Sequence, residues 1–343
     1  MTAKRSGSAY TASWDLLSSK GDRAAAGSYT YKVAVRTPTG VTGSTAGAVT
    51  LVFLGESVAI PITSRWLGFY DLDVPVNMAP LTALESSIGG HAAVIHFFIS
   101  DWESFPLSRV QTIAAHGSIP MVSIDFVRTC QDRGVDSIIS GEMDQYLHDW
   151  AAAAKTYGGV VWIRPFPEMN GNWSCWCGVV GTNTTAKTVA AWKHVHDIFV
   201  AEGASNVKFV WNVNSMSIPD NAENAIEKYW PGDDYVDYVS VDGYNWGTSA
   251  SWSSWSMPAQ IFDIPYKQIT ALTNKPFFIA ETASTPVGGD KPAWITDLFK
   301  SMATRYPKIV GVCWFNQNKE QDWRMDQNDA TLAAMKQILR TGF

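Results

Sequence analysis

Val160-Val-Trp-Ile-Arg-Pro-Phe-Pro-Glu-Met-Asn-Gly-Asn-Trp173 begins as a short apolar run and ends in charged, amide and aromatic side chains. The run is strand-like in length and composition, and a polar group at its end is costly unless it finds partners. Seven further runs follow the same scheme: Trp66–Asp71, Ala93–Ile99, Pro120–Phe126, Lys208–Asn212, Val236–Tyr244, Pro276–Glu281 and Ile309–Phe315. Helical stretches lie between them. Gly141–Tyr157 carries Tyr146, Trp150 and Ala153, Ala186–Glu202 carries Val189, Trp192, Val195 and Phe199, and Ala330–Leu339 carries Leu332, Met335 and Leu339, all at helical spacing. Strands alternating with helices imply a parallel sheet, and eight such units in one stretch predict an α/β fold of the (β/α)8 TIM barrel type. The rival, a doubly wound sheet, usually has a glycine-rich turn after its first strand; here that turn reads Phe69-Tyr-Asp-Leu-Asp.

In such a barrel the active site lies at the C-terminal ends of the strands. Those ends carry Asp71, His96, Arg164 with Glu168 and Asn170, Asp242 with Tyr244, Asn245 and Trp246, Glu281, and Trp314 with Asn316. Glu168 and Glu281 each follow an apolar strand directly, the fourth and the seventh, on opposite sides of the mouth. Glycoside hydrolysis uses two carboxyl groups flanking the scissile bond, one protonated and one ionised. Arg164, on the same strand face as Glu168, is suited to keeping a carboxylate charged, and Tyr244 to donating a hydrogen bond to it. The plainer alternative for each Glu is a helix cap or a pair with a surface Lys.

The 343 residues are 46% apolar and only 17% charged, against the roughly 25% of an average domain, so a large core is expected and disorder is not. A net charge of −6 without a long basic run argues against a nucleic-acid partner. No apolar run reaches a membrane span's length, so no membrane partner is expected either, and the chain is expected to be a monomer. The 16 Trp outnumber the 12 Tyr, which core packing alone rarely requires. Indole faces stack on the C–H faces of sugars without matching each hydroxyl. Trp102, Trp173, Trp176, Trp246, Trp314 and Trp323 fall at predicted loops or strand ends, and Trp252 and Trp255 in a Ser-rich loop. Trp150, Trp192 and Trp294 sit on helices and read as core; Trp162 and Trp211 lie within strands and suit either purpose.

Residues 1–55 read differently, as a β-rich extension ahead of a barrel over 60–343. Tyr29, Tyr31, Val33 and Val35 alternate with Thr30, Lys32 and Ala34, punctuated by Gly21, Gly27, Gly40 and Gly43. Trp14-Asp15, Gly21 and Gly27-Ser-Tyr-Thr-Tyr31 resemble the second half of the immunoglobulin-like module of flagellar hook-capping proteins, which also serves as a spacer in secreted enzymes. Met1–Tyr10 lacks the apolar stretch of a secretory signal. Cys130, Cys175, Cys177 and Cys313 make no disulfide framework, and Cys175-x-Cys177 is not zinc spacing, so ordinary thiols or one local bridge are expected.

Arg164-Pro-Phe-Pro-Glu-Met-Asn-Gly-Asn-Trp173 resembles the acid/base motif of glycoside hydrolase family 26. Val236–Trp246, Lys275–Ser284 and Trp314–Arg324 resemble that family's sixth, seventh and eighth strands, and the similarity runs over residues 65–341. The family comprises retaining endo-glycanases on a (β/α)8 barrel, mostly β-mannanases, with some mixed-linkage β-glucanases and β-1,3-xylanases. The resemblance implies Glu168 as acid/base and Glu281 as nucleophile, steadied by Tyr244. Trp314 would be the platform for the sugar being cleaved, with Arg164 and Trp173 lining the same subsite. His96, Trp102, Trp176, Trp246, Asn316 and Trp323 complete the expected substrate-binding set. It also implies a secreted protein. One departure matters: the family's His before the acid/base Glu, placed near the sugar 2-hydroxyl, is here Pro167, which offers no donor. Mannose and glucose differ at that hydroxyl, so the resemblance does not by itself fix the choice between them.

The expected activity is therefore hydrolysis of internal β-1,4 bonds of a plant-type polysaccharide, β-mannan first, with a mixed-linkage glucanase (lichenase) or β-xylanase as alternatives. A non-catalytic glycan-binding barrel is the alternative of another class. No cofactor or metal is expected: His194 and His196 are two apart and do not share a helical face, and P-loop, Gly-x-Ser-x-Gly and His-Glu-x-x-His motifs are absent.

Overall fold

A computed structural model describes residues 65–99, 102–124 and 134–343 in full, and the backbone of four strands nearer the N-terminus. The chain divides into two compact units, Met1–Phe53 and Leu54–Phe343. In the first, Lys4–Ser6 pairs antiparallel with Ala9–Thr11, and Gly27–Arg36 with Thr42–Leu51. Trp14, Asp15, Gly21, Gly40, Asp125, Phe126 and Cys130 lie outside the described residues.

The second unit is a closed parallel barrel of eight strands: β1 (Trp66–Tyr70), β2 (Val94–Ile99), β3 (Ile119–Ile124), β4 (Val161–Pro165), β5 (Val207–Asn214), β6 (Tyr238–Asn245), β7 (Phe277–Ser284) and β8 (Ile309–Phe315). Each pairs with its sequence neighbours and β8 closes on β1. Helices α1 (Ala79–Ile88), α2 (Leu107–Ala115), α3 (Asp136–Ile139), α4 (Asp144–Tyr157), α5 (Thr185–Glu202), α6 (Pro258–Leu272), α7 (Lys291–Thr304) and α8 (Asp329–Thr341) wrap it. All eight sequence-predicted strands are present, as are the three predicted helices. One connection departs from the alternation: between β5 and β6 the chain runs through three short 3-10 turns.

The barrel interior is filled in layers. Trp162 sits inside, 5.3 Å from Trp66, 4.2 Å from Tyr238 and 5.5 Å from Phe278 between ring centroids. Val94, Met121, Val210, Ala280 and Cys313 continue this inner cluster. Two residues further along β2, β3, β4 and β5, the inward position turns polar: His96, Ser123, Arg164 and Asn212. Side chains alternate across a strand, so this polar layer lies directly above the apolar one. The outward faces pack on the helices, where Trp150, Trp192 and Trp294 are buried as expected. Trp211 faces outward as well, donating from Nε1 to the Tyr229 carbonyl at 3.0 Å. Among the described residues no helix is long and apolar enough to cross a membrane. Cys175 is disulfide-bonded, while Cys177 and Cys313 are buried free thiols, so no bridge joins Cys175 to Cys177.

Candidate active site

The strand ends converge on one guanidinium. Arg164 is fully buried; its Nη1 donates to both oxygens of Asp242 at 3.1 and 3.0 Å, its Nη2 to Glu281, and its Nε to the Ser123 hydroxyl at 2.8 Å. Five donors in a rigid fork suit Arg for holding two carboxylates from different strands. The Ser123 hydroxyl is also hydrogen-bonded to His96 Nε2, 2.7 Å away. Burial, reinforced by Arg164, holds the His96 imidazole well below its usual range, so the ring is neutral. Asn212 donates from Nδ2 to Asp242 at 2.9 Å and accepts from the Glu168 amide at 2.8 Å.

Glu281 reaches this network through a break in strand regularity. On β6 and β7, Val241 pairs with Ile279 but Asp242 pairs with Glu281, so one extra residue sits on β7. The register against β8 slips over the same stretch. Ala280 packs in the barrel interior, and its immediate neighbour Glu281 also points to the mouth. Consecutive residues share a face only at a bulge. There Glu281 accepts from Arg164 and from the Tyr244 hydroxyl, at 2.7 Å for the latter. Burial first, and the Glu281 charge second, raise the Tyr244 phenol well above its ordinary value, so it stays a donor.

Glu168 is held by a strained turn. Phe166 and Glu168 adopt φ of 51° and 55°, a region that non-glycine residues visit rarely and at a cost. The turn ties its carboxyl between Asn214 Nδ2 at 2.6 Å and Trp173 Nε1 at 2.9 Å. Gly171 permits this, since a Cβ there would meet the Trp173 ring at 2.5 Å. Burial, then repulsion from Glu281, push the Glu168 carboxyl up to about 7. The Asp242 carboxyl is also pushed up, by burial first, with Arg164 pulling the other way. One guanidinium stands among three carboxyls here, and it pairs directly with Asp242 and Glu281 rather than with Glu168.

The structure thus brings together Glu168, Glu281, Arg164, Tyr244, His96 and Trp173. Trp323 packs on Tyr244 at 5.2 Å, Trp246 on Trp323 at 5.0 Å, and the exposed Trp252 on Trp246 at 5.1 Å, an aromatic path from the mouth to the surface. Trp176 is half-buried and donates to the Pro167 carbonyl at 2.6 Å, supporting the strained turn. Trp102 is exposed on the loop after β2, against Tyr146.

Three expectations are corrected. Trp323 is fully buried, its ring packed between Tyr244 and Trp246, and offers no face to a sugar. Trp314 is no platform: on β8, Cys313 packs in the barrel interior, so alternation turns Trp314 outward. It is fully buried, with Trp294 at 6.2 Å, and donates to the Trp323 carbonyl at 2.9 Å, holding the loop that carries Trp323. Phe315 is the β8 aromatic on the mouth side, stacked on Tyr70 at 4.4 Å. Asn316 is buried and braces the rim: its Nδ2 donates to Asp71 at 3.2 Å and its Oδ1 accepts from the Met325 amide at 2.6 Å. Reading for site residues missed Ser123, Asn212, Asn214 and Asp242 as members of the network. The signal for Ser123 and Asn212 was parity, two places beyond the inward Met121 and Val210; Asn214 and Asp242 continue the same inward rows beyond Asn212 and Ser240.

Residues 101–342 match glycosyl hydrolase family 26. The chain is 40% identical over 258 residues, 73% of its length, to Endoglucanase H of Acetivibrio thermocellus. It is 32% identical over 158 residues, 45% of its length, to mannan endo-1,4-beta-mannosidase A and B of Caldalkalibacillus mannanilyticus. In both comparisons the match spans 27% of the relative's own length. Among solved structures, a modular endo-β-1,4-mannanase from Cellulomonas fimi superposes with a TM-score of 0.61 at 15% identity, covering 81% of this chain and 71% of that one. A Bacillus subtilis mannanase does so with a TM-score of 0.55 at 19% identity, covering 79% and 83%. At such identities these two structures bear on the fold alone.

Proposed function

The chain belongs to glycosyl hydrolase family 26, and from that premise we propose that it is a retaining endo-β-glycanase cutting internal β-1,4 bonds by double displacement. The observation that carries this reading is the opposite treatment of two carboxyls at one barrel mouth. Glu281 accepts from a guanidinium and a phenol, which hold its carboxyl in place at the mouth. Glu168 is desolvated and faces the Glu281 charge, which favours its proton. Glu281 would attack the anomeric carbon while Glu168 gives its proton to the departing glycosidic oxygen. Glu168, now a carboxylate, would then take a proton from the water that displaces Glu281 from the sugar. A protein that only binds glycans has no need of a carboxyl held near pH 7 in a strained turn.

Trp173, Trp246 and Trp252 supply the apolar faces for an uncharged chain of sugars, with the buried Trp323 packed behind Trp246. Two substrates are in view, β-mannan and mixed-linkage β-glucan. The glucan is favoured by the greater identity to Endoglucanase H and by Pro167, which leaves no side-chain donor near the 2-hydroxyl. The setting we propose is extracellular, with the N-terminal unit as a spacer.

Turnover of mannan, lichenan, barley glucan and xylan, with the anomer of the first product followed by proton NMR, tests the reading. The β-anomer should appear first and Glu281→Ala should lose at least about 10⁴-fold in kcat. First appearance of the α-anomer, or activity surviving that substitution, would remove Glu281 as nucleophile.

A further inference from the structure

At the opposite, N-terminal end of the barrel, three side chains from two successive βα units meet. Glu85 is on α1, His91 lies just before β2, and His116 caps the C-terminus of α2 before β3. Glu85 Oε1 is 3.1 Å from His91 Nδ1, and Glu85 Oε2 is 3.0 Å from His116 Nε2. The ligand-capable atoms of all three lie within 4.8 Å of one another, and the two imidazoles stack at 4.8 Å. A tetrahedral zinc ion with bonds of about 2.0–2.2 Å sets its donor atoms about 3.3–3.5 Å apart.

The outer hydrogen bonds decide what this cluster is built to face. Ser118 Oγ spends its one proton on the Ala92 carbonyl at 2.5 Å, so towards His116 Nδ1, 2.8 Å away, it can only accept. His116 therefore donates from Nδ1 to that oxygen, which fixes the ring with Nε2 towards the Glu85 carboxylate. His91 is held in the same sense, with a backbone hydrogen bond to Gly117 on its Nε2 side and Nδ1 towards Glu85. Without an ion, ring N–H groups donate to Glu85 across these two contacts, and a divalent cation would replace those protons at the same point. Fixing the distal nitrogen through a neighbouring acceptor is also how proteins orient metal-ligating His.

We propose that Glu85, His91 and His116 form a divalent transition-metal site, of zinc type, that clamps α1 and α2 together at the foot of the barrel. Two imidazoles and one carboxylate are a borderline-soft donor set suited to Zn²⁺. Half the His91 side chain is exposed, which gives the ion an entry path and leaves a fourth position to water. The site takes no part in the glycosidase proposed above, so either reading stands or falls without the other.

The test uses the full chain, free of any affinity tag and stripped of metal by chelator, titrated calorimetrically with ZnCl2 alone and followed by thermal unfolding. One equivalent should bind and raise the melting temperature. CoCl2 should give the visible absorption of a tetrahedral cobalt site. His91→Ala, at a half-exposed position that leaves folding intact, should weaken zinc binding at least about 100-fold, and Ser118→Ala about 10- to 100-fold. Turnover at the barrel mouth should stay unchanged in both. Absence of stoichiometric binding, or binding undiminished in His91→Ala, would overturn the proposal.

Discussion

Glu168 concentrates the electrostatic argument in one side chain. Its carboxyl is raised to about 7, with burial the largest cause and the Glu281 charge the next. As the proposed acid it must be protonated in the free enzyme, so kcat/KM should fall as pH rises through about 7, tenfold per unit beyond it. A profile flat to pH 9 would contradict this assignment. The same shift bears on stability with a definite sign. The folded value lies above the unfolded one, so the native state binds more protons between about pH 4.5 and 7. Stability from this group is fully present below about 4.5 and is lost as pH rises through 7. Glu168→Gln should therefore abolish turnover yet raise the melting temperature at pH 8 while changing it little at pH 4. Arg164 and both glutamates were legible as strand-end polar residues. Tyr244 was legible too as a donor to Glu281, whereas the Arg164 partners Asp242 and Ser123, and Asn212 beside them, were not, because they come from strands brought together by closing the barrel.

At the scale of elements, β7 is the informative strand. Its apolar run marks it as a buried parallel strand, yet strict alternation after Phe278 and Ala280 would turn Glu281 away from the axis. The bulge reverses that. Ala280 is small and lies in the interior beneath the carboxylate, so Ala280→Leu should overpack the barrel there. We expect a loss of about 1–3 kcal/mol in urea unfolding, with kcat falling more than KM rises, since Glu281 is displaced while the tryptophan surface is not. Unchanged kcat with normal stability would show that the bulge tolerates a larger residue. The loop after β8 shows a second device. Lys291, at the start of α7, is buried and donates to the carbonyls of Asp322 and Arg324 on either side of Trp323. Burial pushes its ammonium down to about 7. Trp314 holds the same loop from below through its indole N–H. Lys291 and Trp314, the latter a sugar platform by expectation, both serve to place the loop of Trp323.

Taken whole, the molecule is two compact units of unequal size, with the network of the proposed site contained entirely in Leu54–Phe343. A chain starting at Leu54 should fold and keep the kcat of the longer one within about twofold; a collapse in soluble yield or in kcat would show that the barrel depends on the first 53 residues. Composition foretold the broad character of this molecule. Low charge and excess Trp correspond to an uncharged aromatic path from Tyr244 to Trp252. Short apolar runs and helical spacing are local signals, and they sufficed for the barrel and its strands, while polar residues at strand ends marked the mouth. Three things required the closed structure: the bulge that aims Glu281, the left-handed turn that aims Glu168, and the parity that hides Trp314 while bringing Phe315 to the mouth. Each is settled by contacts between residues far apart in the chain. A strand's local pattern states only that it alternates, whereas which face is inward, and where alternation breaks, depends on the neighbours it packs against.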